Sequence, residues 1–414
     1  MQSIRKILAW SAGAACYVAL ALTLLAYDNA RMHPAINAAI VEVFMKNCVN
    51  TITPPEALKG YIFVLNGSHT YTGPAIVNSG YFAAGTSEAD LAFTPKAWIA
   101  HGGYSADIPE VPAALRHFFD PLGIDGGKTW LTDRGTNWEW IVNNNAFNPR
   151  INARDWALTH ADNSWSFEKG KEWMRKALAE EDEKTRDGYM ARAWRCLGET
   201  LHLVADMGCP VHVRNDSHAD VAGWEYRRAL GDPDPYEVMV DSAFAGKYAN
   251  GTPDPSLKTT CRSAETAYEI FNTLATFTNA NFFTYETISG TGVKKYDPLI
   301  KGRPAYSSPK LEQLEYDELD YTYYKNFPGG QRVKMCKDLS YLYFRGYPYI
   351  DIDCVESQAR VLMPNVMEAG SNVMRLFIPK LKVSISKAKI DGTVKGTVSH
   401  VKTKEYTSTA VCRG

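Results

Sequence analysis

The chain has 414 residues, of which 45% are hydrophobic and 22% are charged, and its formal net charge at pH 7 is −1. This composition is typical of a folded globular protein with a sizeable hydrophobic core. The charge balance excludes a strongly basic protein, and with it a bulk electrostatic attraction to nucleic acid or to an anionic membrane.

The first residues have the layout of a secretory signal peptide. Arg5 and Lys6 precede an apolar run of roughly twenty residues, after which Tyr27 and Asp28 restore polarity. We therefore predict a signal peptide over residues 1–26 and a mature protein that is secreted or periplasmic. An uncleaved N-terminal membrane anchor is the alternative interpretation of the same run.

The cysteines do not form a recognisable metal or redox motif. Cys16 lies in the predicted signal peptide, and the other seven of the eight cysteines include no CxxC pair. In an oxidising compartment some of them would form disulfides, and an odd number leaves at least one thiol free or intermolecular.

Apolar spacing predicts a mainly helical protein with long irregular connections. Helical periodicity marks residues 33–46, the long stretch 164–206, and residues 354–377, where Pro364 interrupts the pattern. The region 240–350 is rich in Gly, Pro, Tyr and Asp and predicts helix fragments joined by long loops.

The sequence also predicts a change of architecture near the C-terminus. After residue 379 the pattern becomes an alternation of β-branched and polar residues, with a turn at Asp391–Gly392. We therefore expect a helical domain over residues 27–379, followed by a short β-like extension over residues 380–414.

The segment 201–218, LHLVADMGCPVHVRNDSH, concentrates ligand-type side chains in a chain that has only nine histidines. Residues four apart lie on one helix face about 6 Å apart, so His202 and Asp206 can reach one metal ion. Gly208 and Pro210 predict the end of the helix, with two further histidines in the loop that follows. Imidazole and carboxylate without thiolate are typical of a hydrolytic zinc site, whereas a helix end with surface histidines is the alternative. The candidate ligands here are His202, Asp206, His212 and His218.

The wider segment LGETLHLVADMGCPVHVRNDSH closely resembles the zinc-dependent phospholipase C / P1 nuclease superfamily. The resemblance extends to His33 in RMHPAIN, to Asp90 at the end of GTSEAD, and to His117 in RHFFDP, all in the same order along the chain. It implies a multi-helix fold with three zinc ions in one cleft. Residues 290–350 and the tail after 380 lie outside what the resemblance covers.

The resemblance also implies a ligand set for each ion. One zinc would bind Asp90, His117, His202 and Asp206. A second would share Asp206 and bind His33 with the amino group and carbonyl of the mature N-terminus, here near Tyr27, where better-known members have Trp. A third would bind His212, His218 and a glutamate.

Three assignments within this set keep alternatives. The spacing usual in the family would place the glutamate four residues after His218, but position 222 is Ala. Glu237 is the preferred glutamate and Glu225 is the alternative. Glu88 is the alternative to Asp90, to which we also assign the role of accepting a proton from water. Asn215 and Asp216 are candidates for orienting the ligand histidines, although a turn role is equally compatible with the sequence.

The implied activity is hydrolysis of a phosphodiester by metal-bound hydroxide, without a covalent enzyme intermediate. The amino-acid sequence of the motif resembles the bacterial phospholipase C-like branch most closely. This resemblance implies a phospholipid head group as substrate and transient contact with a membrane surface. A P1-type nuclease acting on single-stranded nucleic acid is one alternative. A non-catalytic, secreted, zinc-stabilised binding protein is the other, and the β-like tail is the feature that favours it.

Overall fold

The structure is a computed structural model of the chain. It describes residues 31–49, 62–76, 88–108, 113, 116–122, 151–216, 218, 234–240, 242–284, 287, 309–338, 348–379, 381–388, 394–400 and 403–406. Within these residues the protein is mainly helical and has three small antiparallel sheets, which confirms the predicted fold class.

The helices are numbered in chain order within the described residues. They are α1 (Met32–Val49), α2 (Pro95–Ser105), α3 (Ala153–Leu158), α4 (Phe167–Ala179), α5 (Glu183–Asp206), α6 (Pro210–Val213), α7 (Pro235–Met239), α8 (Ser242–Tyr248), α9 (Pro255–Ser263), α10 (Ala267–Asn281) and α11 (Ile352–Phe377).

The long helices lie where the apolar spacing predicts them. α1 covers the predicted residues 33–46, and α11 covers 354–377 and continues through Pro364 without ending. The stretch 164–206 is divided into α4 and α5, because Asp182 starts a new helix by accepting a hydrogen bond from the backbone N–H of Thr185.

The strands form three separate sheets. They are β1 (Tyr71–Ile76) and β2 (Glu88–Phe93) in the first, β3 (Glu315–Asp317), β4 (Thr322–Phe327), β5 (Gln331–Asp338) and β6 (Pro348–Tyr349) in the second, and β7 (Leu381–Ala388), β8 (Val394–His400) and β9 (Thr403–Tyr406) in the third. The third sheet lies in the tail where alternation predicts strands. The predicted turn at Asp391–Gly392 falls outside the described residues.

The second sheet differs from the prediction for residues 240–350. Helices α8 to α10 occupy the first part of that region, but the strands from residue 315 onward are regular and antiparallel. β4 and β5 are joined by a tight turn in which Gly329 has φ of +86° and Gly330 has φ of +80°. Two consecutive residues in the left-handed region favour glycine, so this pair is a hairpin signal.

Three helices cross so closely that glycine is required at the contact. A Cβ atom on Gly198 of α5 would lie 2.3 Å from the carbonyl oxygen of Ile99 in α2, and one on Gly102 would lie 2.6 Å from the Cα atom of Gly198. The buried amide of Asn37 in α1 donates hydrogen bonds of 2.9 Å to the carbonyl oxygens of both Ile99 and Gly198. This crossing fixes the spacing of α1, α2 and α5.

We expect Gly198→Ala to destabilise the protein by roughly 1–3 kcal/mol, because the added methyl group forces α2 and α5 apart. Gly188→Ala is the matched control on the same helix. Its Cβ atom would lie 3.8 Å from the carbonyl oxygen of Thr72, an ordinary contact. That variant should keep or gain stability, since alanine is a better helix former than glycine by about 1 kcal/mol. Urea unfolding followed by circular dichroism measures both, and equal midpoints would contradict the close crossing.

The longest described helices, α5 and α11, carry charged side chains along their length. In the part of the chain that the structure describes, no helix is both long enough and apolar enough to cross a membrane. The predicted signal peptide, residues 1–26, and the predicted mature N-terminus at Tyr27 lie outside the described residues.

Candidate metal centre

The last turn of α5 brings His202 and Asp206 into the middle of a buried cluster. The two side chains are one helical turn apart and fully buried, with His202 Nε2 3.6 Å from Asp206 Oδ2. Met207 caps the helix directly after Asp206, so the carboxylate lies where the chain leaves α5. Both side chains therefore offer ligand atoms to the same space, as the HxxxD spacing predicts they can.

Four imidazoles surround the Asp206 carboxylate. Oδ1 lies 3.6 Å from His33 Nε2 and 3.7 Å from His212 Nε2. Oδ2 lies 3.2 Å from His117 Nδ1, in addition to its contact with His202. Burial alone would raise the pKa of Asp206, but His212, His202 and His117 outweigh it and hold the pKa far below its usual range. Asp206 is therefore an anion in the interior of the protein.

A backbone carbonyl orients the His202 ring. His202 Nδ1 donates a hydrogen bond of 2.7 Å to the carbonyl oxygen of Gly103 at the end of α2. Burial, followed by the neighbouring His33, lowers the pKa of His202 well below its usual value, so the ring is neutral. Nε2 then carries a lone pair, and this lone pair faces the carboxylates of Asp206 and Asp107, each 3.6 Å away. A cation between these groups would turn a repulsive arrangement into an attractive one.

The first turn of α1 delivers His33 to the same cluster. Its ring stacks on the ring of His202, with the centroids 3.5 Å apart. Burial lowers the pKa of His33 to about 4, against the effect of Asp206, which raises it. Neutral imidazole is the form that binds metal ions.

Asp107 lies where the sequence prediction placed Asp90. Asp107 follows the end of α2 and is buried, with Oδ1 3.5 Å from His117 Nδ1 and 3.6 Å from His202 Nε2. Asp90 lies on β2, opposite Pro74, and its side chain is exposed to solvent. The structure therefore does not bring Asp90 to the cluster, because the hairpin holds that position in a strand whose side chain at residue 90 points outward.

His212, His218 and Glu237 form a second group next to Asp206. His212 lies on the short helix α6 rather than in a loop, and Glu237 lies in the first turn of α7. Glu237 Oε1 is 2.7 Å from His212 Nε2, and Oε2 is 2.6 Å from His218 Nε2. The structure thus brings the preferred glutamate to both histidines, while the alternative, Glu225, falls outside the described residues.

Neighbouring backbone and side-chain groups hold this second group in place. His218 Nδ1 donates a hydrogen bond of 2.9 Å to the backbone carbonyl oxygen of Asp216. Asp234 caps α7 by accepting hydrogen bonds from the N–H groups of Tyr236 and Glu237. Burial would lower the pKa of His218, but Glu237 outweighs it and raises the pKa to about 9. A metal ion would compete with the proton on His218 Nε2 for the lone pair of that nitrogen.

Cys209 is a ligand-type side chain that the sequence prediction did not include. It lies directly before Pro210, and its Sγ atom is 4.0 Å from Glu237 Oε1. The described cysteines whose side chains are placed are all buried, namely Cys196, Cys209, Cys261, Cys336 and Cys354. Of these, Cys209 alone belongs to a group of metal-ligand side chains.

The described residues contain three groups of ligand-type side chains, and within each group the ligand atoms lie within 4.8 Å of one another. His202 belongs to two of these groups, and Asp206 also contacts His212 of the third, so the groups are neighbours in one cluster. The protein therefore has side chains positioned to hold metal. The groups are His33 with His202 and Asp206, Asp107 with His117 and His202, and Cys209 with His212 and Glu237.

Two further histidines, His101 and His160, lie outside these groups. His101 on α2 packs edge-on against Trp98, with the ring centroids 5.6 Å apart, and burial followed by Arg195 lowers its pKa to about 4. His160 follows α3, and its Nδ1 accepts a hydrogen bond from the N–H of Asp162. Neither is placed to bind a metal ion together with Asp206.

Comparison with known proteins shows no family for this chain. No family model matches the chain, and no match was found among curated proteins. Among solved structures, the alpha-toxin of an avian strain of Clostridium perfringens is similar over 88% of this chain and 72% of its own, with 12% sequence identity and a TM-score of 0.40. A likeness this distant assigns neither residues nor activity. The fold and site themselves define a mainly helical protein with a buried cluster of imidazole, carboxylate and thiol groups suited to metal binding.

Proposed function

We propose that the protein is an exported zinc-dependent phosphodiester hydrolase. The observation that carries the proposal is the fully buried Asp206 carboxylate, whose oxygens face four imidazole nitrogens at 3.2–3.7 Å. Neither oxygen accepts a well-oriented hydrogen bond from a described residue. A buried carboxylate of this kind costs free energy unless it is paired or bound to a cation, and an ion at this position would satisfy both the carboxylate and the imidazoles.

The donor set supports zinc. Imidazole nitrogens and carboxylate oxygens in a compact cluster are the ligands of catalytic zinc sites, whereas calcium and magnesium prefer oxygen ligands alone. The resemblance of the segment 201–218 to the zinc-dependent phospholipase C / P1 nuclease superfamily supports the same metal, and it supports three ions per chain.

We assign each ion to the residues that surround it. The first would be held by Asp107, His117, His202 and Asp206, with Asp107 in the place that the sequence prediction gave to Asp90. The second would share Asp206 and bind His33, with the mature N-terminus near Tyr27 completing its ligands. The third would be held by His212, His218 and Glu237.

The zinc ions would supply positive charge to the phosphate oxygens and acidify the attacking water. The chain itself supplies orientation and a proton acceptor. The Gly103 carbonyl fixes the tautomer of His202, so that Nε2 is directed into the cluster. Asp107 Oδ1, buried between His117 and His202, is the carboxylate that we assign to accept a proton from the attacking water.

The substrate that we propose is a phospholipid, cleaved on the glycerol side of its phosphate, with transient contact at a membrane surface. The support for this substrate is the amino-acid sequence of the motif around Asp206 and His218. A net charge of −1 does not oppose this substrate, because the ions themselves provide the positive field that attracts a phosphodiester.

We expect the purified mature protein to contain about three zinc ions per chain after dialysis, since each of the three sites has at least two buried side-chain ligands. With zinc present it should release phosphocholine from phosphatidylcholine micelles, and a chelator should abolish the release. Elemental analysis and parallel assays on the micelles and on single-stranded DNA measure both. His160→Ala is the matched control, a histidine outside the cluster, and it should retain metal and activity.

Each alternative outcome has a separate meaning. Chelator-sensitive release of nucleotides ahead of phosphocholine would place the protein among nucleases and leave the metal assignments intact. Full zinc occupancy without turnover of either substrate would favour a zinc-stabilised binding protein. One zinc ion or none would contradict the trinuclear centre.

A further inference from the structure

Cys209 is held rigidly at the edge of the His212–Glu237 group. Its backbone N–H donates a hydrogen bond of 2.9 Å to the carbonyl oxygen of Asp206, and its own carbonyl accepts one of 3.3 Å from the N–H of Val213. The residue therefore links the end of α5 to α6, and two elements with metal-ligand side chains fix its backbone.

The neighbours of Cys209 in sequence leave this backbone little freedom. Pro210 occupies the first position of α6, where φ is locked near the helical value. Gly208 lies against α11, and a Cβ atom there would lie 2.2 Å from Cγ2 of Val366. The Cys209 side chain is fully buried, with Sγ 4.0 Å from Glu237 Oε1. The sulfur atom is thus directed at a carboxylate in the interior.

His212 gives an independent sign that this space suits a ligand. Its ring is 2% exposed, and neither Nδ1 nor Nε2 makes a hydrogen bond of good geometry with a described residue, although Nε2 lies 2.7 Å from Glu237 Oε1. Sγ of Cys209, one ring nitrogen of His212 and one carboxylate oxygen of Glu237 all lie within 4.8 Å of one another. Cys209, His212 and Glu237 therefore place a sulfur, a nitrogen and an oxygen ligand atom close enough together to bind one metal ion.

We propose that Cys209 is a thiolate ligand of the metal ion held by His212 and Glu237. The inference rests on the metal centre proposed above, and it adds a sulfur donor to the imidazole and carboxylate donors assigned there. On binding, the S–H bond of Cys209 breaks, the sulfur donates its electron pair to the metal ion, and the proton passes to solvent. No oxidant or reductant takes part.

A thiolate at this position changes the role of the third ion. With His212, His218, Glu237 and Cys209 the ion has four protein ligands, and four protein ligands close the tetrahedral shell of a structural zinc site. The third ion then holds α6 and α7 against the end of α5, and activation of water falls to the ions at Asp206. The soft sulfur donor also favours zinc over magnesium or calcium at this site.

Cobalt(II) in place of zinc tests the proposal by absorption, because sulfur bound to cobalt gives a charge-transfer band in the near ultraviolet, whereas nitrogen and oxygen ligands give only the weaker visible bands. We expect the band in the wild-type protein loaded with cobalt and its loss in Cys209→Ser, with the visible bands retained. Cys196→Ser is the matched control, because this buried thiol donates to the Ser164 carbonyl oxygen. It should keep the band.

The wild-type spectrum is informative even if Cys209→Ser does not fold, because Cys209 alone among the described cysteines lies in a metal-ligand group. Visible bands without the ultraviolet band would overturn the thiolate ligand and leave the metal centre standing. Absence of all cobalt bands would overturn the metal centre itself, and the thiolate ligand with it. Persistence of the ultraviolet band in a folded Cys209→Ser protein would assign the sulfur to another cysteine and overturn the proposal.

Discussion

We expect Asp206→Asn to remove about two zinc ions per chain and to lower phosphodiesterase activity by about a thousandfold, because one carboxylate serves two ions and their combined electrostatic effect on the phosphate is lost with it. Asparagine keeps the size and shape of the side chain but cannot supply the negative charge that the surrounding imidazoles and ions require. Elemental analysis and the phosphatidylcholine assay on the dialysed protein measure the two effects.

Asp187→Asn is the matched control, on the same helix but remote from the cluster. Asp187 pairs with the half-exposed His69 at 2.9 Å, and an ion pair of this kind contributes on the order of 1 kcal/mol or less. The control should retain zinc and activity. If Asp206→Asn were equally active, the end of α5 would not be the metal site.

A second large effect is expected at Asp107. Asp107→Asn should lower turnover on the order of a hundredfold or more, since the variant loses both a ligand of the first ion and the carboxylate that accepts the proton. The zinc content should fall as well, because the amide is a weaker ligand than the carboxylate for an ion between His117 and His202.

Asp90→Asn is the variant that decides between Asp107 and Asp90 as the metal-binding carboxylate. The side chain of Asp90 is exposed on β2, so its substitution should leave the zinc content and turnover close to wild type. The reverse ranking, with Asp90→Asn inactive and Asp107→Asn active, would restore the assignment predicted from sequence and show that β2 approaches the cluster in the working protein.

Much of the candidate site could be anticipated from sequence because its ligands follow local rules. His202 and Asp206 share a helix face by spacing alone, and Gly208 with Pro210 marks where the helix stops. His33 and His117 could be nominated only through the family resemblance, since nothing local to them requires a metal. The structure brings these side chains together around Asp206.

Asp107 and Cys209 could not be identified in this way, and the reasons differ. Asp90 and Asp107 both precede His117, and order along the chain does not show which of them reaches the cluster. Which of the two carboxylates lies in the cluster depends on the packing of α2 against α5 through Gly198. A cysteine directly before a proline is an ordinary residue at the start of a helix. Cys209 becomes a candidate ligand only through its proximity to Glu237, which is distant in sequence.

The sheet of β3 to β6 could have been predicted in part. Its strands are short and rich in Tyr, Asp and Lys, a composition that favours loops as much as strands. The signal within it is the pair Gly329–Gly330 between two stretches with β-branched or aromatic residues. β5 and β6 are separated along the chain, and their pairing has no such local signal.

The ligand side chains are drawn from distant points of the chain, from His33 on α1 to Glu237 on α7, and this distribution has a consequence for how the protein folds. A centre built this way cannot assemble during synthesis of any one segment, because its first and last ligands meet only after the intervening chain has collapsed. Binding of the proposed ions would then be a late event that adds to the packing of α1 against α2 and α5. A cell that exports the chain unfolded would deliver it without zinc, and the availability of the ion outside the cytoplasm would determine when the proposed activity begins.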